Sequence, residues 1–125
     1  MPPVAHDCVH EIAGVRVLLC APQGPPLARA ADANAFIAAA WEHEAQLVAI
    51  PLARLAADFF ELRNRVAGEA IQKFVNYGLR LAFVGDIAGP AAASRALNDF
   101  VREANAGRSL WFVADLDALR QRLAS

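Results

Sequence analysis

DFFELRNRVAGEAIQKFVNYGLRLAFVGD, residues 58–86, decides the fold of this chain. At about 100° per residue, Phe59, Phe60, Ala70, Ile71, Phe74, Val75 and Tyr77 fall on one apolar arc, which predicts a helix from Asp58 to Tyr77. The arc covers about half the circumference, wider than the roughly 100° stripe an ordinary surface helix needs. Such a helix has two surfaces to cover: the sheet, and either a neighbouring helix or a second copy of the chain. Glu69 sits on the polar side. Arg63 falls inside the arc, where its charge is expected to snorkel out or to meet Asp58, Asp86 or Asp115. Gly68 costs about 1 kcal/mol in a helix relative to alanine. Its presence points to close approach of another backbone or a ligand, with helix–helix packing, within the chain or across a dimer, the favoured reason. LRLAFVGD then reads as a buried strand stopped by Gly85 and Asp86.

Working outward, Val4–Ile12 and Val15–Ala21 read as a hairpin about Ala13-Gly14. Pro22, Gly24, Pro25 and Pro26 make a loop. Asp32 is placed to cap a helix running to about Ala45, and QLVAIP is a short buried strand. IAGP is a loop, Ala91–Ala106 a helix ended by Gly107, SLWFVAD a strand, and Asp115 the cap of a last helix. The order ββαβαβαβα predicts a single α/β domain over 1–125. Its five-stranded sheet is mixed but mostly parallel, with right-handed crossovers. Functional groups in such sheets gather at the carboxyl ends of the parallel strands. Here those ends carry Pro51, Gly85, Asp86 and Asp115, near Asp58.

The composition, 57% hydrophobic with a net charge of −1, gives no electrostatic pull toward nucleic acid. No apolar run is long enough to cross a membrane, and no signal peptide is evident at the start. With two cysteines and no leader, the expected location is the cytoplasm. Threonine is absent and serine occurs only at 94, 109 and 125, so hydroxyl nucleophiles are nearly missing. No phosphate-binding glycine motif or nucleophile elbow is present, and no cofactor is implied.

Three constellations remain. His6, Cys8 and His10 alternate on one strand face and are ligand types for transition metals. They lack a carboxylate partner and share that face with Val4 and Ile12, which favours a half-buried strand and no metal. Asp58, Asp86 and Glu69 are carboxylates for acid–base work, or for a small-molecule site in which Arg63 anchors an anion. Each also has a structural role: a helix cap, a strand-end turn and a solvated face. Cys8 and Cys20 face opposite sides if the hairpin turn has two residues, and can meet if it has three.

The run Asp58-Phe59-Phe60, Leu62, Ala67-Gly68-Glu69, Gln72-Lys73-Phe74 and Asn76-Tyr77 resembles the signature of a bacterial family of small proteins, domain of unknown function 4180. Val84-Gly85-Asp86 matches its strand end, and Ser94, Arg95, Leu97, Asp99 and Phe100 its following helix. The likeness spans roughly positions 32–125. The family's FS-x-Y loop is replaced by Ile87-Ala88-Gly89-Pro90, so no aromatic or hydroxyl contact carries over from it. The resemblance implies no reaction. The element order is similar to STAS domains, which bind partner proteins at the start of the helix after the third strand, some through a phosphorylated serine. The segment here, LARLAADFF, has no serine or threonine, which removes the phosphoswitch and leaves partner binding.

The expected function is therefore a non-enzymatic STAS-like interaction or regulatory module, a homodimer with an unidentified protein partner. Phe59, Phe60, Gly68, Ile71 and Val75 are its expected surface. The alternative is an anion-binding or simple acid–base site at the strand ends.

Overall fold

The computed structural model describes residues 7–61 and 65–124. Strands β1 (Cys8–Ile12) and β2 (Val15–Leu19) form the expected hairpin, pairing Ile12 with Val15 across a two-residue turn. Both turn residues are left-handed, Ala13 at φ 50° and Gly14 at φ 81°, the geometry that matches strand twist. Ala13 carries a Cβ in this region and is strained. Ala13→Asn is expected to raise stability by about 0.5–1 kcal/mol, read as a higher denaturation midpoint. No gain would mean the turn relaxes.

Strands β3 (Leu47–Pro51), β4 (Arg80–Val84) and β5 (Leu110–Val113) follow, and the sheet order is β1-β2-β3-β4-β5. All pairs after the hairpin are parallel, so the sheet is mixed and mostly parallel as expected. Neighbouring parallel strands joined by right-handed crossovers carry their helices on one face. That face holds α1 (Ala33–Glu42), α2 (Val66–Asn76), and α4 (Arg95–Ala106), which follows the short α3 (Ala88–Ala93). The other face holds α5 (Leu116–Ala124).

Side chains alternate along each strand between the two layers. Leu18, Val48, Ile50, Leu81, Phe83 and Phe112 meet α1, α2 and α4. Val17, Leu47, Ala49, Ala82, Trp111 and Val113 meet Leu119 of α5. The same alternation puts Cys20 in the first layer and Cys8 against the second, so the two free thiols face opposite sides.

Three boundaries differ from expectation. The long helix begins at Val66, not Asp58. Residues 57–60 are a turn in which the Phe59 N–H donates to Ala56 O and the Glu61 N–H to Asp58 O. Arg65, left-handed at φ 61°, precedes the helix without capping it through its side chain. A left-handed residue costs about 1–2 kcal/mol, and burying a phenylalanine contributes about 1.5–3. Two phenylalanines enter the core from this turn, which outweighs the strain. Second, the expected 91–106 helix is two. IAGP supplies the start of α3, and extended Ser94 separates it from α4, accepting from the Leu97 N–H at 3.2 Å. Third, Asp32 does not cap α1 through its side chain. Its carboxylate instead accepts from Ala28 N and Arg29 N, closing a 3-10 turn at Ala30–Asp32.

Candidate functional site

The carboxyl ends of the strands form a structural edge. Asp86 Oδ1 accepts from Ala88 N at 2.9 Å at the entry to α3, and Asp115 Oδ1 accepts from Ala118 N at 2.8 Å, capping α5. Asp58 is exposed on its turn and Glu69 exposed on α2. Arg63 lies outside the described residues, so its expected pairing with Asp58, Asp86 or Asp115 does too. The guanidinium at this edge is Arg54, in a 3-10 turn after β3. It is 4% exposed and donates from Nε to Pro25 O, and from Nη1 to Ala21 O and Asp7 Oδ1, at 3.0–3.1 Å. Its Cζ lies 4.9 Å from the centre of the Phe36 ring. With these partners Arg54 holds the proline loop shut rather than waiting for a ligand.

Burial pushes the neighbouring Cys20 thiol up to about 12; Asp7 and Cys8 raise it further, while Arg54 pulls the other way. A thiol held protonated is a poor nucleophile, so Cys20 is a packing residue. On β1, Cys8 is half-buried and His10 exposed, while His6 lies outside the described residues.

The helix layer is different in character. Among the described residues the exposed large hydrophobics are Trp41 (62%), Tyr77 (53%) and Val75 (40%), on or just after α1 and α2. Trp41 and Tyr77 meet edge to face at 6.1 Å and form a ridge. On one side lies a cleft of about 420 Å³ between the helices, on the other one of about 490 Å³ toward the start of β4.

Of the expected surface, Phe59 is 1% exposed and belongs to the core; a side chain on a turn beneath α2 has no outward direction. Phe60 is half-buried against Phe83 and Phe112 at 5.5 and 5.6 Å, so it too is largely interior. Gly68 is exposed, and a Cβ there would meet nothing within 4 Å. Among the described residues, the close neighbour expected at Gly68 is absent. Ile71 is half-buried, and Val75 lies two helical turns beyond Gly68 on the same stripe.

A family model described as Domain of unknown function (DUF4180) matches residues 12–123. The chain belongs to this family. The DUF4180 match runs from the last residue of β1 nearly to the end of α5, further toward the amino terminus than the signature residues alone extend. No curated protein and no solved structure matches the chain, and the likeness to STAS domains stays one of element order. Within this DUF4180 domain, sequence reasoning missed Arg54, whose signal was a lone charge in the apolar run LARLAA. It also missed Trp41 as a surface residue, because α1's apolar residues run on to it without a break.

Proposed function

We propose that this domain is a non-enzymatic interaction module that works as a homodimer joined through the outer face of α2. One observation carries the reading: α2 exposes a knob, Val75, and a hole, Gly68, two turns apart on one stripe. A two-fold axis beside Ile71 and Gln72 sets Val75 of each copy over Gly68 of the other, the self-complementarity an isologous interface requires. Charge agrees. Glu69 and Lys73 lie symmetrically about Ile71 with opposite signs, neither in an ion pair among the described residues. Antiparallel copies of α2 bring each beside its counter-charge. The Trp41–Tyr77 ridge supplies the apolar flank, of the residue types enriched at interface centres.

Light scattering after size exclusion tests this with wild type and Gly68→Leu. The leucine enters open space within the chain and improves helix propensity by about 1 kcal/mol, so it leaves the fold intact. It fills the hole a second copy needs. The expected masses are twice the 13.4 kDa of the chain for wild type and 13.4 kDa for the variant, with unchanged circular dichroism. Wild type at 13.4 kDa, or a variant that keeps the wild-type mass, would refute the proposal.

A further inference from the structure

The amino-terminal end of the sheet, opposite the acidic strand ends, holds a cleft of about 400 Å³ lined by Val15, Arg80, Arg108, Ser109, Trp111 and Arg122. Arg80 opens β4, Arg108 and Ser109 lead into β5, and Arg122 reaches across from α5. The Trp111 indole organises the cleft. Its Nε1 donates to Gly107 O at 2.8 Å, and the Cζ atoms of Arg80 and Arg122 lie 4.5 and 4.4 Å from its ring centre. Backbone carbonyls hold both guanidiniums in place: Arg80 Nε donates to Arg108 O at 3.0 Å and Arg122 Nη2 to Asn105 O at 2.7 Å. Each uses one of its five N–H groups this way and keeps the others.

Three arginines thus converge, and no carboxylate is among the described residues that line the cleft. The ion pairs of the described residues lie elsewhere, at Arg54–Asp7, Arg102–Asp99 and Arg120–Asp117. Burial lowers the pKa of Arg80, and the charges of Arg108 and Arg122 lower it further. The chain has 13 acidic residues and a net charge of −1, yet among the described residues no carboxylate lies within ion-pair distance of these arginines. Carbonyl anchoring and indole packing hold the guanidiniums in place without neutralising them, which leaves the cluster short of negative charge.

We infer that this cleft is a binding site for a phosphoryl group, free or carried as a small phosphomonoester. Guanidinium forks match tetrahedral phosphate oxygens through paired, charge-assisted hydrogen bonds, and a dianion answers several positive charges at once. The Ser109 hydroxyl supplies a further donor at the rim. The site uses β4, β5 and α5 and occupies the other end of the sheet from the carboxylates; Arg80 also borders the cleft beside the Trp41–Tyr77 ridge.

Isothermal titration of the full chain with inorganic phosphate, phenyl phosphate and sodium chloride tests the inference. Trp111 fluorescence, read in a Trp41→Phe background, provides a second signal from the indole beneath the arginines. Saturable binding of inorganic phosphate is expected, absent with chloride at matched ionic strength. Tighter binding of phenyl phosphate would identify an ester as the natural form, and equal binding the free ion. Arg122→Gln is expected to weaken binding by at least about tenfold, the value of one charge-assisted contact. Arg108→Gln, at an exposed residue whose side chain makes no hydrogen bond among the described residues, is expected to weaken it without disturbing the fold. Arg102→Gln, on exposed α4, is expected to change nothing. Absence of saturation with both phosphates, or losses as large at Arg102 as at Arg108, would overturn the assignment.

Discussion

Phe59→Ala is expected to lower the free energy of unfolding by about 4 kcal/mol, the largest single effect the fold predicts outside the helices. The ring is 1% exposed and packs edge to face on Phe60 at 5.0 Å and Phe83 at 5.8 Å. Phe83 and Phe112 stand on adjacent parallel strands and meet at 5.4 Å, so the wall of the resulting cavity cannot collapse inward without bending the sheet. Urea denaturation measures the loss. The mass of the folded protein is expected to stay at the wild-type value, because the residue contributes to the core and to no interface. A cost under about 1 kcal/mol, with a change in mass, would return Phe59 to the surface that its place on the helical arc suggested.

Arg54→Met is expected to cost about 3 kcal/mol, lowering the melting temperature by roughly 10 °C. Methionine matches the length of the stem and removes every donor. Ala21 O, Pro25 O and Asp7 then lose their partner together. Replacing a whole buried pair with apolar groups is often neutral, but removing one member leaves the rest desolvated and unpaired. Asp7 is 38% exposed and retains the Ala21 N–H at 2.8 Å, so Asp7→Asn is expected to cost only about 1 kcal/mol. The guanidinium also lies against Gly24, where an added Cβ would come within 3.0 Å of its Cζ. The proline loop is thus moulded to this side chain. An Arg54→Met protein as stable as wild type would show that the loop closes without it.

The elements with one dominant local signal were legible in the sequence. The hairpin turn, the strand LRLAFVGD and the Asp115 cap each follow from residues within a few positions of one another, and the structure contains all three. The start of α2 was not legible. Phe59 and Phe60 fit the helical arc in phase, and the break depends on Arg65 adopting a conformation that arginine does not advertise. Only tertiary burial of the two rings makes that conformation worthwhile. The division of α3 from α4 at Ser94 was readable as a capping serine, but the alanine run across 91–93 hid it. Of the proposed interface, Gly68 was legible as a glycine inside a helical pattern and Val75 as part of the wide apolar arc. The arginine cleft was not, because Arg80, Arg108 and Arg122 are scattered along the chain and meet only when β4, β5 and α5 assemble.

Placement of the α2 helices against each other is the central claim, and disulfide trapping tests it most directly. In a Cys8→Ser, Cys20→Ala background, Gln72→Cys puts a thiol beside the proposed two-fold axis and Arg102→Cys puts one on α4, away from it. Mild oxidation is expected to convert Gln72→Cys rapidly into a covalent species of twice the 13.4 kDa chain mass, while Arg102→Cys stays single. Slow cross-linking of both at the same rate, or faster cross-linking through Arg102→Cys, would contradict the α2 interface.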